Sequence, residues 1–178
     1  MTVNLFGAAA PGFDAPLEVL EACHGRIARQ CDTLEKLLDY LPAHGADAQA
    51  RQAARAVLAY FDVAAMHHHD DEERNLFPLL EAAGAPGACD LVEALTLEHD
   101  AQALLWHRLR DALQGIAAGT SAALDAALVR RFVEMQRAHL EFENTHLLPL
   151  ARRILDAAAL ERLGRAMAAR RRVRFDPA

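Results

Sequence analysis

His68-His69-Asp70-Asp71-Glu72, running on to Leu76-Phe77-Pro78, returns as His139-Leu140-Glu141-Phe142-Glu143, running on to Leu147-Leu148-Pro149. The histidine, the glutamate and the proline each recur 71 positions later (His68 to His139, Glu72 to Glu143, Pro78 to Pro149), while little else is shared. What repeats is therefore donor chemistry at a fixed spacing. A histidine and a glutamate four residues apart stand one above the other on one helix face. Two such pairs facing each other across packed helices form a cage suited to transition metals.

Working outward, each pair is preceded by a lone histidine: His24 lies 44 residues before His68, and His99 lies 40 before His139. The apolar spacing around all four histidines is helical. Asp14 is the expected cap of a first helix carrying Leu17, Leu20, His24, Ile27, Cys31, Leu34 and Leu38, ending near Leu41-Pro42. Asp47 caps a second, with Val57, Phe61, Ala65, His68, Glu72 and Leu76 on its buried stripe. Asp90 with Glu93 is read as a capping box for a third, through Val92, Leu95, His99, Leu105, Trp106 and Leu109 to Gly119. Thr120 or Ser121 is expected to cap a fourth, with Leu128, Phe132, Met135, His139, Glu143, His146 and Leu150.

Short connections between long helices predict an all-α fold, an antiparallel up-down-up-down four-helix bundle with a short additional C-terminal helix. The expected organisation is a flexible arm over 1–13, the bundle over 14–156, and a C-terminal helix with a basic tail over 157–178. Arg170, Arg171, Arg172 and Arg174 in that tail are read as complementing a helix dipole.

The bulk properties agree with one helical domain. At 178 residues the chain can bury a sizeable core. A formal net charge of −6 disfavours nucleic acid as a partner. Cys23, Cys31 and Cys89 contain no Cys-x-x-Cys pair and predict reduced thiols rather than a disulfide framework. Neither a signal peptide nor a membrane-length apolar run is evident, so a soluble, cytoplasmic protein with no membrane partner is expected.

His24, His68, Glu72, His99, His139 and Glu143 are placed at one level of the bundle. Four imidazoles and two carboxylates suffice for two ions, with both carboxylates able to bridge. The set exceeds the tetrahedral demand of a single zinc, so iron is favoured, ahead of manganese or zinc. A single His-x-x-x-Glu is ordinarily a surface pair. The matched second copy and the lone histidines argue otherwise, because without metal Glu72 and Glu143 would face the core unpaired.

The neighbours are read more plainly. His67 and His69 are rotated roughly 100° to either side of His68 and are expected to be solvated or packed. Glu73 is rotated similarly from Glu72 and is expected outside the ligand set. His107 is assigned an exposed or edge position and His44 a loop. His146 and Asn75 occupy corresponding places one turn on, and are expected as a hydrogen-bonded structural pair or a polar access route. Cys31, Phe61, Trp106 and Phe132 fall at one level and are read as an apolar plug beside the centre. Pro78 and Pro149 are expected to kink or end their helices.

Together these residues resemble a known family. His24, the run from His68 through Glu72-Glu73 to Leu76-Phe77-Pro78, Glu98-His99-Asp100, and the run from His139 through Glu143 to Leu147-Leu148-Pro149 are similar to a hemerythrin-like, HHE cation-binding domain. The resemblance covers roughly residues 14–156. It implies a four-helix bundle holding two iron ions, a non-haem di-iron centre with room for an oxo or hydroxo bridge, ligated by the six residues. Oxygen-carrying hemerythrins have a further histidine four residues after the helix-three ligand, where this chain has Ala103, and an aspartate at a different spacing on the last helix. The present set is instead similar to iron-centre repair proteins and other bacterial members, although the cysteine-containing N-terminal domain of typical repair proteins is not expected here.

The leading expectation is a di-iron protein that binds or reacts with oxygen, nitric oxide or peroxide, in sensing or stress response. Iron storage, delivery or iron-centre repair is the alternative. No proton relay in the sequence singles out a catalytic reaction, and the polar core positions disfavour a metal-free interaction module.

Overall fold

The computed structural model describes residues 11–175, so most of the expected N-terminal arm lies outside the described residues. Helix α1 is Pro16–His44. Helix α2 is one rod over 48–82, made of Ala48–Ala59, a π-helical stretch Tyr60–Ala65, Met66–Asp71, a second π turn Glu72–Leu76, and Phe77–Ala82. Helix α3 is Ala88–Ala118. Helix α4 covers 126–154, with a π turn Glu143–Leu147 between Ala126–Phe142 and Leu148–Ile154. Helix α5 is Ala157–Arg170. The described residues contain no strand, and none of their helices is long and apolar enough to cross a membrane.

Asp47 and Gly119 mark the boundaries expected of them, and Asp156 caps the last helix in the same way. Asp47 accepts a hydrogen bond from Ala50 N at 2.9 Å, and Asp156 one from Ala159 N at 2.7 Å, each satisfying a free amide of a first turn. Gly119 ends α3 at φ 77°, a left-handed conformation that favours glycine. Other boundaries differ. Helix α1 starts at Pro16, with no side-chain cap on Ala15, and continues through Pro42 to Gly45. Left-handed Gly87 starts α3 ahead of the expected capping box, so Asp90 lies inside the first turn. The cap of α4 is Asp125, whose carboxylate accepts from Ala127 N and Leu128 N, whereas Thr120 bonds back to the Gly115 carbonyl.

The prolines do not end their helices. Pro78 and Pro149 have no amide to donate and would crowd the carbonyl four residues back. In each copy the preceding turn widens instead. The Phe77 amide bonds to the Glu72 carbonyl and the Leu148 amide to the Glu143 carbonyl, each spanning five residues. The widened turn begins at the repeated glutamate both times.

Each of the first four helices packs on its chain neighbours, and α4 closes back on α1, the adjacency a four-helix bundle requires. Their apolar stripes form two clusters. One includes Ile27, Leu34, Phe61, Leu109 and Phe132. The other includes Leu20, Leu76, Leu95 and Leu147, together with Leu163 and Met167 of α5. Gly164 lets α5 meet the chain at Phe13, because a Cβ there would collide with the Phe13 carbonyl.

The basic end of α5 does more than complement its own dipole. Arg170 and Arg171 reach back to Asp71, whose carboxylate is fully buried, and Arg170 also donates to Asn75 at 2.7 Å. Two guanidinium groups thus neutralise a carboxylate immediately before Glu72. Removing both cations should leave that charge buried and unpaired, a cost of about 3–5 kcal/mol. Arg170→Ala/Arg171→Ala is therefore expected to lower the denaturation midpoint sharply, with an Asp71→Asn background recovering part of the loss. An unchanged midpoint in the double variant would show that the clamp contributes nothing.

Candidate metal centre

A layer of buried polar side chains separates the two apolar clusters: His24, His68, Glu72, His99, His139 and Glu143 are each at most 3 % exposed. All six residues singled out by the repeat therefore converge. The rings of His24 and His68 lie 4.9 Å apart, and those of His99 and His139 lie 4.8 Å apart, so each half of the chain contributes one imidazole pair.

Both carboxylates stand between the pairs. Glu143 Oε2 is 3.2 Å from His24 Nε2 and 3.9 Å from His68 Nε2, while its Oε1 is 3.1 Å from His139 Nε2 and 3.8 Å from His99 Nε2. Glu72 Oε1 is 3.9 Å from His24 Nε2, and its Oε2 lies 3.6 Å from both His68 Nε2 and His99 Nε2. These contacts are not aligned as hydrogen bonds. His24 Nε2, both ring nitrogens of His68 and all four carboxylate oxygens are buried without a hydrogen-bond partner.

Each such orphan costs about 1–3 kcal/mol, more for a charged group. A cation at the centre would satisfy them together. Donors about 2.0–2.2 Å from one ion stand roughly 3–4 Å from each other, which is the spacing found. The residues present therefore fit a metal-binding role.

Three of the inward-facing imidazoles are fixed from behind. Asn144 Oδ1 lies 2.6 Å from His24 Nδ1, Glu73 Oε1 2.7 Å from His99 Nδ1, and Glu98 Oε2 2.7 Å from His139 Nδ1. An acceptor at Nδ1 keeps the proton there and leaves Nε2 as the free donor to an ion. Each acceptor adjoins one of the six residues in sequence but serves an imidazole on another helix. Sequence spacing singled out the six converging residues and missed these three supports. Their only signal was a polar residue beside three of the six, Glu72, His99 and Glu143.

Other expectations change. His69, by contrast, is packed, one of the two outcomes expected for it. Its ring stacks on His99 at 3.9 Å between centroids, and its donor atoms with those of His99 and His139 lie within 4.8 Å of one another. His146 and Asn75 do not pair: Asn75 holds Arg170, while His146 stacks on Phe142 at the surface. Phe61, Trp106 and Phe132 do form an aromatic group, but they wall a cavity of about 420 Å³ that reaches His69 and Ala103 rather than plugging it. At its edge Asp62 accepts from Trp106 Nε1 at 3.1 Å and Arg110 Nε at 2.9 Å. Cys31 is the expected inert thiol, its pKa pushed up to about 12 by burial. His44 stacks on Tyr40.

The charges of the layer follow from the same geometry. Burial opposes a charge on His24, but Glu143 and Glu72 outweigh it and hold its pKa up to about 10. Burial is likewise outweighed at His139, by Glu143 and then Glu98, raising it to about 9. His68, fully enclosed and beside His24, is pushed well below its ordinary value. Burial and the Glu143 charge raise Glu72 to about 7. Glu143 resists its own burial through His139, His24 and His99 and stays well below the usual carboxylate range.

A profile of the hemerythrin HHE cation binding domain matches residues 15–151. An uncharacterized protein of Haemophilus influenzae is 33 % identical over 162 residues, covering 91 % of this chain and 93 % of that one.

Protonated His24 and His139 stabilise the metal-free fold fully below the unfolded value near 6.5, and that contribution is lost as pH rises through about 9 to 10. Metal loading has the opposite sense, because a cation needs both imidazoles neutral. Adding a divalent metal at pH 7 should therefore release protons, and apparent affinity should climb toward pH 9. A pH-stat titration that records no proton release on binding would contradict this assignment.

Proposed function

The chain belongs to the hemerythrin HHE cation-binding family, and from that premise we propose that it is a non-haem di-iron protein that binds or reacts with oxygen, nitric oxide or peroxide. One observation carries the reading: two imidazole pairs flank two carboxylates, each of which faces histidines from both halves. His24 with His68 would hold one ion, His99 with His139 the other, and Glu72 and Glu143 would bridge them. Imidazole and carboxylate together suit iron in both common oxidation states. When bound, the iron would supply a redox-active Lewis-acid site for a small ligand.

The protein's own residues would then govern access and polarity. The cavity walled by Phe61, Trp106 and Phe132 opens a largely apolar path toward the His99 and His139 side, suited to small uncharged molecules. Gln102 lies one turn from His99 on the cavity wall. Its amide oxygen accepts from Gln136 at 3.0 Å, while its buried Nε2 is without a partner and is free to donate to an incoming ligand. Glu73, Glu98 and Asn144 would hold three imidazoles in donor orientation and raise their basicity. Three free thiols are consistent with a cytoplasmic setting, where a sensing or stress-response role would operate.

Anaerobic loading with ferrous iron, followed optically during separate additions of oxygen, nitric oxide and peroxide, tests the reading. It predicts two ions per chain and a spectral response to at least one ligand. Rapid loss of iron to a chelator with no such response would favour storage, delivery or repair instead. Saturation at one ion per chain or fewer would overturn the di-iron reading. Glu72→Ala and Glu143→Ala are each expected to abolish loading of at least one ion, while Glu73→Ala should weaken affinity only about 10–100-fold, through His99. Equal loss in all three variants would contradict the assigned roles.

A further inference from the structure

The cavity beside the polar layer is far larger than a diatomic ligand requires. It measures about 420 Å³. A cavity of about 150 Å³ already encloses a benzene ring, and one water molecule takes up about 30 Å³ of the liquid. Pockets that hold organic molecules begin at about 300 Å³. Oxygen, nitric oxide or peroxide would leave most of this space empty, whereas a molecule of one or two rings would fill it.

The lining narrows the chemistry of such an occupant. Phe61, Trp106 and Phe132 make one aromatic wall, with ring centroids 4.8, 5.1 and 5.9 Å apart. Phe61 and Phe132 are fixed within an apolar cluster, and Trp106 is held by donating its Nε1 hydrogen to Asp62. Fixed rings of this kind favour another aromatic system in offset or edge-on contact. Gln102, also on the wall, is 1 % exposed, and its Nε2 is buried without a hydrogen-bond partner. Its amide oxygen is already occupied by Gln136, so what the wall offers is a donor in need of an acceptor. At the edge, Arg110 Nε donates to both oxygens of Asp62, at 2.9 and 3.0 Å. That cation is already matched, and an arriving carboxylate would meet Asp62 as a like charge. A neutral occupant is therefore selected.

We propose that this cavity is a binding site for a neutral aromatic molecule of one or two rings carrying a carbonyl oxygen. Its rings would lie against Phe61, Trp106 and Phe132, and its oxygen would accept from Gln102 Nε2. The site goes beyond the di-iron reading and needs no metal, because its groups lie outside the six residues of the layer. His69 also lines the cavity, so an occupant stands across the apolar path toward His99 and His139.

Isothermal titration calorimetry of the full chain, with and without ferrous loading, tests the site with three two-ring probes: 1-tetralone, tetralin, which lacks the carbonyl, and 1-naphthoate, which carries a charge. Trp106 is the chain's single tryptophan, so its fluorescence reports where a probe binds. One 1-tetralone per chain should bind and change that emission. Tetralin should bind roughly 3–10-fold more weakly, and 1-naphthoate should also bind more weakly than 1-tetralone. Gln102→Met keeps the side-chain length without the donor and should erase the preference for 1-tetralone over tetralin. Ala103→Phe, at an exposed position on the cavity wall, should fill the space and abolish binding of both. Absence of 1-tetralone binding, an unchanged preference in Gln102→Met, or tightest binding of 1-naphthoate overturns the proposal. Protein that holds two irons but takes up no 1-tetralone overturns this site alone. Protein that binds 1-tetralone but holds no iron overturns the di-iron reading alone.

Discussion

The structure depends on one constraint: two carboxylates and four imidazoles are buried at a single level between two apolar clusters. Left alone, such a layer is a heavy burden for a domain whose net stability is only about 5–15 kcal/mol. The protein offsets part of it internally. Glu143 draws positive charge onto His24 and His139, and Glu72 shifts toward its neutral form. Those adjustments leave the carboxylate oxygens and three ring nitrogens without hydrogen bonds. So many unpartnered polar atoms at one buried level fit a cation held among them. The helix α5 clamp on Asp71 belongs to the same economy, because it neutralises a further buried carboxylate one residue from the layer.

Backbone geometry serves the layer too. A π turn opens at Glu72 and again at Glu143, each just ahead of a proline. The histidine thus stays on regular helix and the glutamate amide still bonds to the carbonyl four residues back, which keeps the two side chains over one another, while the irregularity begins at the glutamate itself. The proline's missing amide and the widened turn are two aspects of one local solution, used in both halves. A third π stretch, Tyr60–Ala65, has no proline and lies beside the cavity; we have no physical account of it.

Much of this was legible in the sequence because it is periodic or local. The repeated pair and the lone histidines located all six converging residues, and Asp47 acts as the cap that short-range chemistry predicts. What was not legible depends on the distance between helices. A helical wheel places His69 about 100° from His68, but it cannot say that His99 lies close enough on α3 to stack against it. Glu98 adjoins His99 yet supports His139, and Asn144 adjoins Glu143 yet supports His24. Asp71 and the arginines of α5 are about a hundred residues apart, and only the meeting of an acidic run with a basic one hinted at their pairing. Asp125 displaced Thr120 as a cap because the chain leaves α3 through a longer connection than the turn at Gly119 implied.

Anomalous diffraction at the iron edge from crystals of the ferrous-loaded protein tests the central claim most directly. The account predicts two peaks per chain about 3.5–4 Å apart, one beside His24 and His68, the other beside His99 and His139, with Glu72 and Glu143 contacting both. A single peak, or iron bound anywhere outside this layer, would contradict it.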